Sequence, residues 1–146
     1  MKYYILFFLL ILIAAAAGCT ETLPAVTNSS EAPTILIDYH RTGGIAGFDD
    51  RLVIFGNGEA VVQTRSRSSS FTVNSSELAA LSSLFDKASF AGLDKKYTAQ
   101  FSGNDYFTYV ITYQGKSVTM QDTAIPSNLG PIIAELNRII AENAGR

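Results

Sequence analysis

Cysteine and histidine are nearly missing from this sequence of 146 residues, which has one of each, Cys19 and His40. A single cysteine cannot form a disulfide framework within the chain. A zinc site normally requires several His or Cys ligands, and catalysis by a cysteine nucleophile requires a histidine beside it. Since Cys19 lies in an N-terminal signal, described below, we expect no metal site, no cofactor and no Cys–His chemistry.

The sequence also lacks catalytic residue types at a recognisable spacing. Asp38 lies two residues before His40, so a strand would place both side chains on one face. A Ser–His–Asp triad needs more than this, because the histidine must be positioned between a nucleophile and an orienting carboxylate. An exposed pair on a strand is the simpler interpretation. The sequence therefore predicts that the protein is not an enzyme.

A concentration of basic charge is missing as well. The chain has 11 Lys and Arg against 13 Asp and Glu, for a net charge of −2, and contains no basic run. Nucleic-acid binding generally requires a basic patch or stripe, so we expect no nucleic-acid partner. The adjacent Asp49 and Asp50 supply too few oxygen ligands to predict a calcium site.

The N-terminus has the layout of a secretory signal. Lys2 supplies the positive charge, and residues 3–17 form an apolar run that is followed by small residues before Cys19. This run is shorter than the roughly 20 apolar residues of a membrane-spanning helix. Ala16-Ala17-Gly18-Cys19 resembles the lipobox of prokaryotic lipoproteins. That resemblance implies a signal peptide over residues 1–18 and a lipid on Cys19.

Residues 19–33 are predicted to form a lipidated cysteine followed by a flexible tether. Thr, Ser, Ala and Pro dominate this stretch, which has no apolar period. Asn28 begins a glycosylation sequon, as Asn74 does later in the chain. We expect a protein anchored to a membrane on its extracytoplasmic side. A plain cleaved signal and an uncleaved anchor are the alternatives.

Residues 34–143 are the size of one domain. Alternation predicts a first strand over residues 34–41, with Ile37 and Tyr39 on one face. Short apolar runs around turn residues predict two hairpins, over residues 51–65 and 106–122. Residues 66–70 are interpreted as a polar turn or an exposed edge, with a possible strand continuation over 71–73. Residues 90–102 are interpreted as irregular.

Two helices complete the predicted domain. Asn74 and Glu77 have the spacing of a capping box, and apolar residues follow at helical spacing. A second apolar stripe near the C-terminus follows Pro131, which should lie in or before the first turn. Its members are Leu129, Ile132, Ile133, Leu136, Ile139 and Ile140. The order is β-β-β-α-β-β-α, with room for one small extra strand. We predict an α+β fold in which an antiparallel sheet of about five strands carries two helices on one face.

Three glycines, Gly43, Gly44 and Gly47, lie close together between the first two predicted strands. Such a cluster marks backbone that bends unusually or approaches something closely. It is not a phosphate loop, because no helix with Lys-Ser/Thr follows. The residues alone leave open whether this segment is only a turn or contacts a partner.

The run YHRTGGIAG, residues 39–47, resembles the Arg-Ser/Thr-Gly-Gly-Phe/Ile-Ala-Gly signature of emfourin-like proteins. The likeness continues in order through SELAAL from Ser76, DYFTYVI from Asp105, Asp122-Thr-x-x-Pro126 and the final helix. It covers about residues 34–140. Emfourin-like proteins are small inhibitors of thermolysin-like zinc metalloproteases such as protealysin. The resemblance implies an α+β inhibitor, with the zinc ion held by the protease. An exported, anchored chain departs from the family's usual pattern.

We call residues 43–48 the glycine loop; its members are Gly43, Gly44, Ile45, Ala46, Gly47 and Phe48. In an inhibitor this loop would present its backbone to the protease at low ordering cost. Ile45 and Phe48 would then fill apolar subsites, which thermolysin-like enzymes favour beside the scissile bond. Alternatively, both side chains tuck inward and the glycines only shape the turn.

A second function is also compatible with the sequence. The same fold could serve as a surface or envelope domain that binds another ligand without inhibiting a protease, because fold alone does not determine function. Arg65-Ser66-Arg67 is interpreted as a solvated hairpin tip rather than an anion site.

Overall fold

The computed structural model describes residues 32–100 and 105–145. They belong to a compact unit that spans Ala32–Arg146. The predicted signal peptide and tether lie outside the described residues, and so do Cys19 and Asn28. Within the described residues, no helix is both long enough and apolar enough to cross a membrane.

One sheet of seven strands forms the centre of this unit, in the order β4-β3-β2-β1-β6-β7-β5. The strands are β1 (Ile35–Gly43), β2 (Phe48–Phe55), β3 (Glu59–Gln63), β4 (Ser68–Thr72), β5 (Lys96–Tyr97), β6 (Phe107–Tyr113) and β7 (Lys116–Gln121). The helices are α1 (Ser75–Lys87) and α2 (Gly130–Asn143), and three short 3-10 turns span Phe90–Gly92, Asp122–Ala124 and Ser127–Leu129.

The core lies between the helices and one face of the sheet. Tyr39 in β1 pairs with Leu52 in β2 and with Ile111 in β6, and all three side chains are fully buried. Phe85 of α1 and Leu136 of α2 belong to the same hydrophobic cluster. The apolar side of each strand and the stripe of each helix therefore meet in one layer, as the alternation and helical spacing predict.

Every buried apolar side chain in the described part of the chain lies between Ile37 and Ile140. The unit Ala32–Arg146 thus contains a complete core of its own. We expect a fragment with these bounds to fold independently.

The α+β class, the two helices and the two predicted hairpins are confirmed, whereas the predicted strand number and the wholly antiparallel sheet are wrong. The sheet has seven strands, and β5 pairs parallel to β7, so it is mixed rather than antiparallel. β4 was anticipated only in part, as an exposed edge or turn over residues 66–70 and a strand continuation over 71–73, because Ser68–Thr72 is rich in serine and has almost no apolar alternation. β5 is two residues long, which is too short for any periodicity to show.

Both helix starts follow the predicted chemistry. The Asn74 side chain accepts a hydrogen bond from the Glu77 amide, and the Glu77 carboxylate accepts one from the Asn74 amide, which completes the capping box. Pro131 lies in the first turn of α2. All six residues of the predicted C-terminal stripe are buried.

Candidate functional site

The glycine loop joins β1 to β2 at one end of the two longest strands. Gly43 pairs with Phe48 across this connection and with Phe107 on the other side, in β6. The Gly47 amide donates a 2.9 Å hydrogen bond to the Gly44 carbonyl oxygen, which closes a turn inside the loop. The Gly44 amide donates to the Tyr106 carbonyl oxygen at 3.4 Å, and this bond links the turn to the neighbouring chain segment.

Two of the glycines are required by the fold itself. Gly43 has a φ of +113°, and a Cβ atom there would lie 2.2 Å from the Tyr106 carbonyl oxygen. Gly44 has a φ of +68°, and its Cβ would lie 2.7 Å from the end of the Phe107 ring. Both positions have a left-handed backbone that favours glycine, and at Gly43 the contact with a backbone oxygen also excludes a side chain, whereas at Gly44 the Phe107 ring would have to shift. The close approach that these glycines allow is to the segment that begins β6.

The third glycine makes room for Arg65. Gly47 has a φ of +62°, and its Cβ would lie 3.0 Å from Nη1 of Arg65. That nitrogen donates hydrogen bonds to the carbonyl oxygens of Ala46 and Gly47, each at 3.1 Å. Arg65 is exposed, as predicted for a hairpin tip, but its side chain also holds the loop backbone. Sequence reasoning missed this contact, because the two segments are 18 residues apart.

The apolar residues of the loop are exposed. Ile45 keeps 88% of its surface accessible, and Phe48 keeps 41%. Phe48 packs against Phe107 with ring centroids 5.5 Å apart, whereas Ile45 extends from the turn into solvent. Of the two arrangements left open by the sequence, Ile45 therefore adopts the outward one, and Phe48 lies partly outward on an aromatic support.

A polar network lies directly behind Phe48. The Arg41 guanidinium is 4.9 Å from the centre of the Phe48 ring and 5.5 Å from that of Phe107, within cation–π range. It also donates to Asp50 at 2.5 Å and to the Asn137 side-chain oxygen at 3.1 Å. Arg41, Asp50 and Asn137 thus connect β1, β2 and α2. Because Asp50 is only 6% exposed, the Arg41–Asp50 ion pair is largely shielded from water. Truncation of one partner would leave the other charge buried and uncompensated.

The far side of Phe107 is held by Asp122. One carboxylate oxygen accepts from the Phe107 amide and the other from the Tyr109 hydroxyl, both at 2.9 Å. Burial raises the pKa of Tyr109 to about 12, and the hydrogen bond to Asp122 and its negative charge act in the same direction. Burial also raises the pKa of Tyr39, although the nearby Arg41 charge opposes this. Both phenols thus stay neutral hydrogen-bond donors at physiological pH.

The two acidic residues considered for calcium have separate partners. The Asp49 carboxylate lies 2.7 Å from Nε2 of His40, and Asp50 binds Arg41. Asp38, which shares a strand face with His40, instead accepts two hydrogen bonds from Arg51. Within residues 32–100 and 105–145, no group of three or more His, Cys, Asp or Glu side chains is arranged to hold a metal ion.

No protein-family model matches this sequence, and a search of the curated proteins gives no match either.

Proposed function

We propose that the chain is a protein inhibitor of thermolysin-like zinc metalloproteases, of the emfourin-like type, and that the glycine loop contacts the protease. The observation that carries the proposal is the 88% exposure of Ile45 on a loop whose backbone is held by hydrogen bonds from Arg65 and Gly47. A large apolar side chain that exposed has no stabilising role in the isolated domain. Its burial in an apolar subsite would favour binding.

Inhibition would be favoured by a glycine loop that already has a fixed conformation before it binds. A contact loop that must be ordered on binding loses affinity, at about 0.5–1.5 kcal/mol for each immobilised side chain. Here the Gly47–Gly44 hydrogen bond, the Arg65 contacts and the Arg41–Phe48 contact hold the loop before binding. A protein with these constraints has little ordering left to do when a protease approaches.

The chemistry of inhibition would come from occupation of the cleft. The protease supplies the zinc ion, and the loop presents backbone groups with Ile45 and Phe48 beside the scissile-bond position. Phe48 would keep its contact with Phe107 and offer its outer face to the protease. The accessible part of Phe48 is 41% of the residue's surface. No group of this chain needs to act as an acid, a base or a metal ligand.

We also propose that the domain is held outside a membrane by the lipidated Cys19. The lipobox-like run Ala16-Ala17-Gly18-Cys19 supports this part of the proposal. Cys19→Ala should move the protein from the membrane fraction to the soluble fraction, or leave the signal uncleaved. Unchanged size, unchanged membrane retention and a wild-type cysteine without lipid would contradict the anchor.

A surface-binding role without inhibition is the second candidate, and one observation favours it. A polar cavity of about 340 Å³ lies beside β1, β2 and β3, on the sheet face away from the helices. It is lined by His40, Asp49, Arg51, Gln63, Thr64 and Arg65. Cationic and anionic groups together in one cavity suit a small zwitterionic or polar ligand.

The deciding experiment measures inhibition directly. The fragment Ala32–Arg146 is titrated against a panel of thermolysin-like metalloproteases, including those of the same organism, and the mixture is analysed by mass spectrometry for cleavage. We expect inhibition of at least one enzyme by an intact fragment. Digestion by every enzyme, or no effect on any of them, would reject inhibition and leave the non-inhibitory binding domain.

A further inference from the structure

β4 is an end strand of the sheet, and within the described residues no strand pairs with its outer side. The Val73 amide donates to the Gly58 carbonyl oxygen, and the Thr64 amide donates to the Arg67 carbonyl oxygen, both at 2.8 Å. Backbone groups of alternate residues face the same side in an antiparallel ladder. Those of Arg67, Ser69, Phe71 and Val73 therefore point to β3, while those of Ser68, Ser70 and Thr72 point outward.

This edge lacks the features that normally prevent the end strand of one molecule from pairing with the end strand of another. Ser68–Thr72 contains no charged residue and no proline, and its pairing with β3 has no bulge. Natural sheets usually protect an exposed edge with one of these devices. A row of outward amides and carbonyls is therefore available for another strand.

We propose that β4 pairs antiparallel with β4 of a second copy of this chain, with Ser70 on the two-fold axis. Only residues that point outward can exchange hydrogen bonds, and an axis at Ser70 is the one that pairs all three outward residues of β4. Ser70 then pairs with Ser70 of the second copy, and Ser68 pairs with its Thr72. The three pairs supply about six backbone hydrogen bonds.

Charge complementarity favours a second copy over an unrelated strand. In this register Arg67 comes opposite Val73 of the second copy. Both side chains lie on the helix-covered face, as Phe71 does, since Phe71 pairs with the buried Ala60. Val73 lines a groove of about 250 Å³ together with Glu77, Glu142 and Arg138, and Arg138 is paired with Glu142. The lining therefore holds one more carboxylate than guanidinium, and the two-fold axis places each copy's Arg67 at this groove of the other copy.

The contact is small, because each edge is five residues long. Stable complexes generally bury at least about 1,200 Å² in total, and a single strand pair of this length buries less. The dimer is therefore weak in dilute solution, and the register of its strand pair is best detected by covalent cross-linking. The surface shares no residue with the glycine loop, so the inference does not depend on the proposed inhibition.

Cysteine cross-linking tests the register. The fragment Ala32–Arg146 contains no cysteine, since Cys19 is the only one in the chain. Paired residues on the two-fold axis have Cα atoms about 5.5 Å apart, within disulfide range. Ser70→Cys should therefore form a disulfide-linked dimer under mild oxidation. Ser117→Cys is the matched control, because Ser117 is an exposed serine on β7, which is separated from β4 by four other strands.

A mixed pair of variants makes the test sharper. Ser68→Cys should cross-link to Thr72→Cys in a mixture distinguished by mass, but neither should cross-link efficiently to itself. Two copies of position 68 would be about 14 Å apart in this register. The proposal is overturned if Ser70→Cys gives no more dimer than Ser117→Cys. It is also overturned if Ser68→Cys links to itself as readily as to Thr72→Cys.

Two further variants address the association without a covalent bond, by sedimentation of the concentrated fragment. Ser70→Pro removes an outward amide and leaves the ladder to β3 intact, so dimer should be lost with little change in melting temperature. Arg67→Glu should also weaken the dimer, and Glu142→Lys in the same chain should restore it. A concentration-dependent dimer that survives both Ser70→Pro and Arg67→Glu would place the contact elsewhere. A fragment that stays monomeric at every concentration, without Ser70→Cys cross-linking, would reject the proposal.

Discussion

Nη1 of Arg65 lies 3.1 Å from the carbonyl oxygen of Gly47, and a methyl group on Gly47 would lie 3.0 Å from the same nitrogen. The glycine therefore permits the arginine to approach, and the arginine in turn holds the glycine's carbonyl. This contact ties the glycine loop to the segment between β3 and β4. It fixes the direction in which the loop presents Ile45.

Removal of the Arg65 side chain tests whether loop order contributes to binding. Arg65→Ala should weaken inhibition by about 2- to 10-fold, because the loop would lose about 0.5–1.5 kcal/mol of preorganisation. The Gly47 amide should also exchange with solvent faster. Arg67→Ala is the control, since its side chain makes no contact with the loop carbonyls. Equal effects of the two changes would contradict the role given to Arg65.

Truncation of Ile45 tests the contact itself. Ile45→Ala should weaken inhibition by about 30-fold, equivalent to about 2 kcal/mol, with almost no change in melting temperature. Ile35→Ala is the matched control, because Ile35 is a 46% exposed isoleucine at the start of β1, the opposite end of the strand from the loop. If Ile35→Ala and Ile45→Ala have the same effect on inhibition, the loop is not the anchor.

Gly43→Ala should destabilise the fold more than Gly115→Ala. Both glycines have positive φ angles, +113° and +82°, so an alanine is strained at either position. Only Gly43 adds a clash, at 2.2 Å from the Tyr106 carbonyl oxygen, whereas nothing lies within 4 Å of a Cβ on Gly115. We expect a loss of about 1–2 kcal/mol at Gly115 and a larger one at Gly43, measured by urea unfolding. Equal losses would show that β6 moves away at little cost.

Stability should fall at alkaline pH. A tyrosine ionises near pH 10 in an unfolded chain, and the pKa of Tyr109 in the folded protein is about 12. Between these values the folded state holds a proton that the unfolded state has lost, so stability decreases as pH rises. Tyr39 acts in the same direction. Urea unfolding at pH 9, 10 and 11 should show this decrease, with a smaller slope for Tyr109→Phe. An unchanged slope in that variant would assign the effect to other groups.

The helix cap at Asn74 offers a separate test of local stability. Asn74→Ala should cost about 0.5–2 kcal/mol in the unglycosylated fragment, because the Glu77 amide loses its acceptor. Asn74→Ser keeps a capping oxygen and also removes the glycosylation acceptor, so its loss should be much smaller. A change in free energy of unfolding indistinguishable from zero for Asn74→Ala would show that the cap is dispensable.

Sequence reasoning succeeded where local patterns decide the structure. Three features could be read from neighbouring residues alone. They are the alternation around Ile37 and Tyr39, the capping box at Asn74 and the apolar stripe of α2. Sequence reasoning anticipated β4 only in part and missed β5, because the strand state of these two segments depends on pairing with β3 and β7. A serine-rich segment and a two-residue segment have no pattern strong enough to predict such pairing.

The site shows the same division. The glycines and apolar residues of the loop were recognisable in the sequence, but the outward direction of Ile45 was not. The Arg65 contacts and the Arg41–Asp50–Asn137 network also link segments that are distant in the chain.

The sequence by itself determined the α+β class, the two helix starts and the position of a glycine-rich connection after β1, since each depends on neighbouring residues. Only the tertiary structure decided why the glycines are needed and where Ile45 points. Gly43 and Gly44 are constrained by the segment around Tyr106 and Phe107, which lies more than sixty residues later in the chain. The space around a residue is set by segments that folding brings together, and a periodicity in one segment carries no information about that space.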